Sequence, residues 1–422
     1  ANFFDYGASS IILTGLVIMV ASCSPVPEQK KVFSSVTEVA LPVLHGARQP
    51  SLFAMSDGRI LMSWTEPSGK AFAVKTAIGN SDGWSEPQTV VKSDKLFLNW
   101  ADFPSVAAFS DGTLAAHWLI ENGASSYEYD VNIALSGDDG WSRRQVIVPH
   151  RDGTKTQHGF ATLLPMAQNQ LLAIWLDGRA YGSTPEGAKE DLFTDAMQLR
   201  TTTIGSDGTL SQDKVLDLRT CTCCQTAATI TKSGIVLVAY RDRTAAEIRD
   251  ISLVRLVNGI WSKPETINKD GWEIAGCPVN GPAIDANGEL AVVAWFTGAK
   301  DIPQVKVAFS TNAGESFDGA IRIDHGEAAG RVDVIQLDDG SAFVSWVELT
   351  DTGEALLVCR AWPGTGCSDT QIITLNKASG GINFPRMVLS NGDVYMAWTQ
   401  PLKTRSAKLD LDMTIRMVRA KP

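Results

Sequence analysis

Positive charge is scarce in this sequence. Its 37 Lys and Arg stand against 47 Asp and Glu, for a formal net charge of −10 at pH 7. A nucleic-acid partner needs a basic face to meet its phosphates, so none is expected. The same deficit argues against a polybasic patch for a membrane surface. Only 20% of residues are charged, while hydrophobic residues reach 44%, with 36 Gly, 18 Pro and 12 Trp. That balance belongs to a folded globular chain and excludes a disordered, collagen-like or coiled-coil one. Three motifs are also missing: a Gly-rich phosphate loop between strand and helix, an H-E-x-x-H pair and a G-x-S-x-G elbow. Nucleotide, zincin and α/β-hydrolase chemistry can be set aside on that ground.

The apolar run Ile11 to Val20 is too short to span a bilayer but fits the core of an export signal. It leads into Val20-Ala21-Ser22-Cys23, which resembles the lipobox of bacterial lipoproteins. That resemblance implies a signal segment over residues 1–23 and lipidation at Cys23. A polar tether over 24–31 and one folded domain over 32–422 would follow. The chain is then expected to be exported and held at the bacterial outer membrane, periplasmic or surface-facing, through its lipid alone. Ala1 to Ser10 departs from the usual signal, since it carries no Lys or Arg and contains Asp5. An ordinary cleaved secretory signal is the alternative. Six further cysteines, Cys221, Cys223, Cys224, Cys277, Cys359 and Cys367, make an even count that suits disulfides outside the cytoplasm.

The rest of the chain repeats one phrase. "QPSLFAMSDGRILMSW" ends at Trp64, and "FPSVAAFSDGTLAAHW" ends at Trp118. Variants end at Trp175, Tyr240, Trp295, Trp346 and Trp398. Each phrase reads as strand, Gly-containing turn, strand. Two more strands follow each aromatic anchor, and four-stranded units repeating at this interval predict an all-β propeller. The count is seven blades, with six as the alternative. The seventh phrase is followed by one strand only, over Asp412–Arg419. The stretch Val36 to Pro42 resembles the fourth strand of blade 1 and is predicted to complete blade 7.

The turn between third and fourth strands is also readable. In the fifth unit it is Ser310-Thr311-Asn312-Ala313-Gly314-Glu315-Ser316-Phe317, which matches the Asp-box S-x-D-x-G-x-x-W with Asn for Asp and Phe for Trp. An Asp or Asn bonds to turn backbone, Gly accepts positive φ and the aromatic packs back on the sheet, so the box is a folding device. On these repeats and boxes, residues 32–422 resemble the sialidase-like BNR/Asp-box propeller superfamily. The "CTCCQTA" to "SAFVSW" stretch, Cys221 to Trp346, is similar to an exported bacterial subgroup with a C-x-C-C motif. The resemblance implies glycan chemistry, with exo-sialidase-like glycoside hydrolysis if the chain is an enzyme. Sialidases clamp the substrate carboxylate with three arginines, which implies Arg48, then Arg241 or Arg243, and Arg331. It also implies Asp102 as the acid. No nucleophile is implied, because the last three blades hold only Tyr395, inside a strand.

In a propeller the loops leading into each first strand and those after each second strand open on one face. Two residues past the anchors stand Glu66, Asp177, Asp242, Glu348 and Gln400. These either ring the mouth with carboxylates or bond to their own loops. Asp102, Asp242 and Glu66 are the candidate catalytic groups. Arg48, Asp177, Arg179, Arg241, Arg243, Arg331 and Asn280 are the candidate ligand contacts, since arginines on a concave face suit bidentate recognition of carboxylate or sulfate. The alternative is an internal Arg–Asp network. The long segment Asp177 to Asp195 is a candidate lid. An anionic glycan or small molecule bound by a monomer is the expected use.

Cys221, Cys223, Cys224 and Cys277 begin adjacent blades and are expected to meet. They read either as disulfides tying blade 4 to blade 5 or as a thiolate site for Cu or Zn with His158 as a further ligand. The second option makes the chain a metal or redox module instead. No other cofactor is called for. Cys359 and Cys367 flank the blade 6 turn, which lacks an Asp-box, and are expected to clasp it.

Overall fold

A computed structural model describes residues 31–125, 127–141, 145–180, 195–377, 381–402 and 412–422. The export segment, Cys23 and most of the candidate lid lie outside these residues. Residues 31–422 form one unit, built from seven antiparallel sheets. Blade 1 runs Arg48–Ala54, Ile60–Ser68, Ala71–Asn80 and Gln88–Ser93. Blade 2 runs Ser105–Ala108, Leu114–Glu121, Tyr129–Leu135 and Val146–Ile147. Blade 3 runs His158–Met166, Gln170–Asp177, Met197–Gly205 and Lys214–Thr220. Blades 4, 5 and 6 start at Ala227, Ala283 and Ala328. The first strands touch their neighbours in cyclic order, blade 1 against blade 7 included. The chain is thus a seven-bladed β-propeller, and the six-bladed alternative is excluded.

Blade 7 combines Arg386–Ser390, Asp393–Pro401 and Met413–Lys421 with Ser35–Glu38 from the other end of the chain. The register runs Ser35 opposite Lys421 to Glu38 opposite Val418. This closing strand is shorter than the predicted Val36–Pro42: Val39 N still donates to Met417 O at 2.9 Å, and beyond it Leu41 packs on the core between blades 7 and 1.

The repeated phrase has a packing cause. Alternate residues of each second strand face opposite sides of the blade. Ile60, Met62 and Trp64 enter the core between blades 7 and 1, whereas Leu61 enters the core between blades 1 and 2. Seven such cores fill the seven gaps, and each gap receives one anchor. Trp118 lies between blades 1 and 2, Trp175 between 2 and 3, and Tyr240 between 3 and 4. Trp295, Trp346 and Trp398 fill the next three gaps. Burying one such indole contributes about 4–6 kcal/mol of transfer free energy before ordering costs.

An indole N–H in a dry gap needs an acceptor. Trp64 Nε1 donates to Glu66 at 2.7 Å, Trp175 to Asp177, Trp346 to Glu348 and Trp398 to Gln400, each of these at 2.8 Å. In blades 1, 3, 6 and 7 the residue two past the anchor therefore serves the anchor. Blade 5 carries Thr297 there, and Trp295 turns instead to Asp270 at 2.7 Å. Blade 2 carries Ile120, and Trp118 Nε1 has no partner among the described residues.

The fifth-blade box folds as its side chains dictate. Asn312 Oδ1 accepts from Ser316 N, Ser310 Oγ accepts from Gly314 N, both at 3.0 Å, and Phe317 packs on the blade 4–5 core. In blade 6 a Cys359–Cys367 disulfide closes the hairpin.

Candidate functional site

The lead-in loops of blades 2 to 5 enclose a cavity of about 570 Å³ on the mouth face. Phe97, Asn99 and Trp100 come from the blade 2 loop, Thr156 and Gln157 from the blade 3 loop. Thr222, Cys223, Cys277 and Val279 close the far wall, and Tyr127 and Tyr129 rise from blade 2. Trp100 is 45% exposed and Tyr127 is 67% exposed, so two large aromatic faces meet solvent at one opening. Trp100 stacks on Phe384 at 5.7 Å between centroids, and the Arg331 guanidinium lies 5.4 Å from the Trp100 ring. A cavity of about 670 Å³ on the opposite face is built from blade 1–3 turns, and its Asp57–Arg59 pair closes on itself at 2.7 Å.

Beneath the aromatic cavity lies a buried phenol–carboxyl pair. Tyr129 Oη donates to Asp102 Oδ2 at 2.8 Å and accepts from Gln157 Nε2 at 2.9 Å. Phe160 N donates to Asp102 Oδ1 at 2.8 Å. Burial pushes the Asp102 carboxyl up to about 7, against the opposing pull of the Phe160 and Tyr129 hydrogen bonds. Burial, with Asp102 beside it, also raises the Tyr129 phenol well above its ordinary value. Gly159 admits this pair: a Cβ there would stand 2.1 Å from Asp102 Oδ2 and 2.9 Å from Tyr129 Oη. Asp102 also borders the central channel, a hollow of about 230 Å³ that holds Asp333 and Arg386. Gln225 spans this floor, donating to Ala101 O at 2.7 Å and accepting from Gly281 N at 2.8 Å.

The other candidates named from the sequence sit elsewhere. Glu66 and Asp177 are spent on their anchors. Glu66 also accepts from Leu44 N at 3.2 Å, and Asp177 holds Arg179 through Nε and Nη2, both at 2.7 Å. Arg241 is a buried strut: its Nε, Nη1 and Nη2 donate to the carbonyls of Asn280, Arg249 and Phe296. Its guanidinium also lies on Trp272, 4.9 Å from the ring centroid. Asn280 in turn accepts from Arg331 N at 2.8 Å, splicing blade 5 to blade 6. Arg243 pairs with Glu247 at 2.7 Å, and Arg331 pairs with Glu354 at 2.8 Å. Arg48 donates to Gly46 O at 3.3 Å and lies over Phe72. Asp242 accepts from Arg243 N and Ser252 Oγ, and burial with Asp217 nearby pushes it up to about 6. The arginines therefore form an internal network, and none of them lines the cavity.

The cysteines divide. Cys223 and Cys277 form a disulfide across blades 4 and 5 with Cα atoms 6.0 Å apart, on the cavity wall. Cys221 and Cys224 are free and buried with sulfurs 3.0 Å apart. Burial would raise the Cys221 thiol, but hydrogen bonding by Cys224 and the Cys223 backbone and the charges of Arg241 and Arg249 hold it below its ordinary value, while Cys224 is pushed up. A four-thiolate centre with His158 is not what these residues form. His158 belongs to a different cluster, stacked on His150 with centroids 3.7 Å apart and flanked by Asp130, Asp152 and Asp177.

Sequence reasoning missed Tyr129, Gln157, Trp100 and Tyr127 in the cavity, and His150, Asp130 and Asp152 beside His158. One signal for the second group was available: the chain has 5 His, and two of them stand in the single loop His150-x-Asp152…His158.

No family model matches the sequence, and no curated protein matches it. Solved structures do match. The polysaccharide lyase Uly1 aligns with a TM-score of 0.50 at 9% identity, covering 89% of this chain and 90% of its own. A protein of unknown function from Dyadobacter fermentans covers 94% of this chain and all of its own, at 12% identity and a TM-score of 0.48. NanB sialidase from Streptococcus pneumoniae covers 93% of this chain and 71% of its own, at 15% identity and a TM-score of 0.45. At 9% identity the likeness to the lyase is one of fold.

Proposed function

We propose that this propeller binds a glycan in the aromatic cavity of its mouth face, as an exported protein held to the membrane by a lipid on Cys23. The observation that carries the reading is the cavity itself. Trp100 and Tyr127 offer flat apolar faces on which the C–H faces of sugar rings stack, and Asn99 and Gln157 stand beside them for hydroxyls. For bond cleavage, the pair beneath the cavity, Tyr129 hydrogen-bonded to Asp102, is the candidate proton-transfer group. Asp102, near 7, is matched to taking and returning a proton at neutral pH.

A panel of sialosides, uronate-containing glycans and sulfated glycans tests this by binding and by turnover. Trp100→Ala and Tyr127→Ala should each weaken binding about 10-fold. Tyr129→Phe should keep binding and remove any turnover. No binding anywhere in the panel would overturn the reading. Cys23→Ser should release the protein from the membrane fraction, and retention there would refute the anchor.

A second reading rests on the Cys221–Cys224 pair. Two free sulfurs 3.0 Å apart beside Arg249 make a buried dithiol suited to redox exchange or to Cu(I). Thiol counting and elemental analysis of protein purified from the periplasm check it. Two blocked thiols at Cys221 and Cys224 with no metal would remove the metal form of this reading.

A further inference from the structure

The stacked histidines take no part in the glycan reading. His150 ends the link from blade 2, and His158 opens blade 3. Their rings are 4° from parallel. At one end of the stack Asp152 meets both rings, Oδ1 at 3.1 Å from His150 Nδ1 and Oδ2 at 3.0 Å from His158 Nε2. A carboxylate accepts, so each ring carries its proton on that nitrogen. In the neutral rings the other nitrogens, His150 Nε2 and His158 Nδ1, are then lone pairs. Both are buried, and neither has a hydrogen-bond partner among the described residues. Both face the same atom, Asp130 Oδ1, at 3.5 and 3.4 Å.

Two ring nitrogens and a carboxylate oxygen thus gather within 4.8 Å of one another with no cation among them, the oxygen also accepting from Asn122 Nδ2 at 2.5 Å. A single extra proton would join one imidazole to Asp130 and leave the other nitrogen unmet. One cation satisfies all three. A tetrahedral ion with bonds of about 2.0–2.2 Å sets its ligands about 3.3–3.6 Å apart, a range that includes the spacing from Asp130 to each ring.

We propose that Asp130, His150 and His158 form a site for a divalent transition-metal ion, with zinc the best match to two imidazoles and a carboxylate. Asp152 is the outer carboxylate that fixes both rings, and Arg179, 3.3 Å from it, balances its charge. Asp130 is 23% exposed, so the ion is reached from solvent and keeps a position for water. Binding splays the ring stack to bring both lone pairs onto the ion. Asp130 neighbours Tyr129 in sequence and His158 neighbours Gln157, so the ion also stiffens the two segments that supply the cavity's phenol and its amide partner.

The test uses the mature protein with Cys221→Ser and Cys224→Ser, stripped by chelator, so that no thiolate site competes. Zinc alone is titrated by calorimetry and cobalt(II) alone by absorption. The expected result is one ion per chain, with visible cobalt bands and no sulfur-to-cobalt charge transfer. Asp130→Asn, at a partly exposed position, should weaken zinc more than about 100-fold while leaving the metal-free circular dichroism unchanged. Asp152→Asn should weaken it about 10–100-fold. Absence of stoichiometric binding, or binding indifferent to Asp130→Asn, overturns the proposal. Neither outcome bears on the glycan panel, which can be run on the metal-free protein.

Discussion

Asp102 carries a pH signature of its own. Its folded-state value of about 7 stands above the ordinary 3.8. Between those values the folded protein holds a proton that the unfolded chain has released, so stability falls as pH rises toward 7 and levels off beyond it. Asp102→Asn cannot ionise. The variant should gain on the wild type by roughly 1.4 kcal/mol per pH unit up to about pH 7, read by urea denaturation at a series of pH values. A difference that stays constant with pH would mean that Asp102 is ionised in the folded protein throughout. Position in a lead-in loop marked Asp102 in the sequence. Tyr129 carried no such mark, because it alternates with Asp130 in a third strand like any core residue. Arg241 shows the opposite failure. A guanidinium with three backbone carbonyls and an indole face is spent inside the fold, and no sequence pattern separates that from a ligand clamp.

The strand-level lesson is the residue two past each anchor. Its recurrence left two readings open, a ring of mouth carboxylates or bonds within its own loop, and in four blades it serves the anchor instead. Glu66→Met would strand the buried Trp64 Nε1–H, while the N–H of the exposed Leu44 can turn to water. At about 1–3 kcal/mol per buried unpaired donor, the variant should melt well below wild type by calorimetry. A loss under about 1 kcal/mol would show that water replaces the carboxylate. Between neighbouring blades the Cys223–Cys277 bridge is the corresponding device. Cys277→Ser should destabilise the protein by roughly 2–4 kcal/mol in denaturant, and unchanged stability would mean that the bridge is not formed in solution. The blade strands were legible because one aromatic per gap repeats in register. The cavity was not, because its residues come once each from several loops and no repeat points to them.

For the whole ring, the closing pair decides integrity. Without residues 412–422, Asp393–Pro401 and Ser35–Glu38 each lose the strand between them. Two open edges then offer pairing to other chains. Such a truncation should self-associate on size-exclusion chromatography, and a monomer melting like the wild type would show that the seventh blade is dispensable. This closure was legible because Val36-Thr37-Glu38 repeats the pattern of a fourth strand that the last unit lacks.

The same closure sets a clock. The hydrogen bond from Ser34 to Lys421 joins residues 387 positions apart. At synthesis rates of about 5–20 residues per second, the first strand waits roughly 20–80 s for its partner to be made. Through that interval the nascent chain can stack blades but cannot seal them. A ribosome stalled anywhere short of Met413 leaves an unsealed product, so resistance to proteases waits for the strand Met413–Lys421.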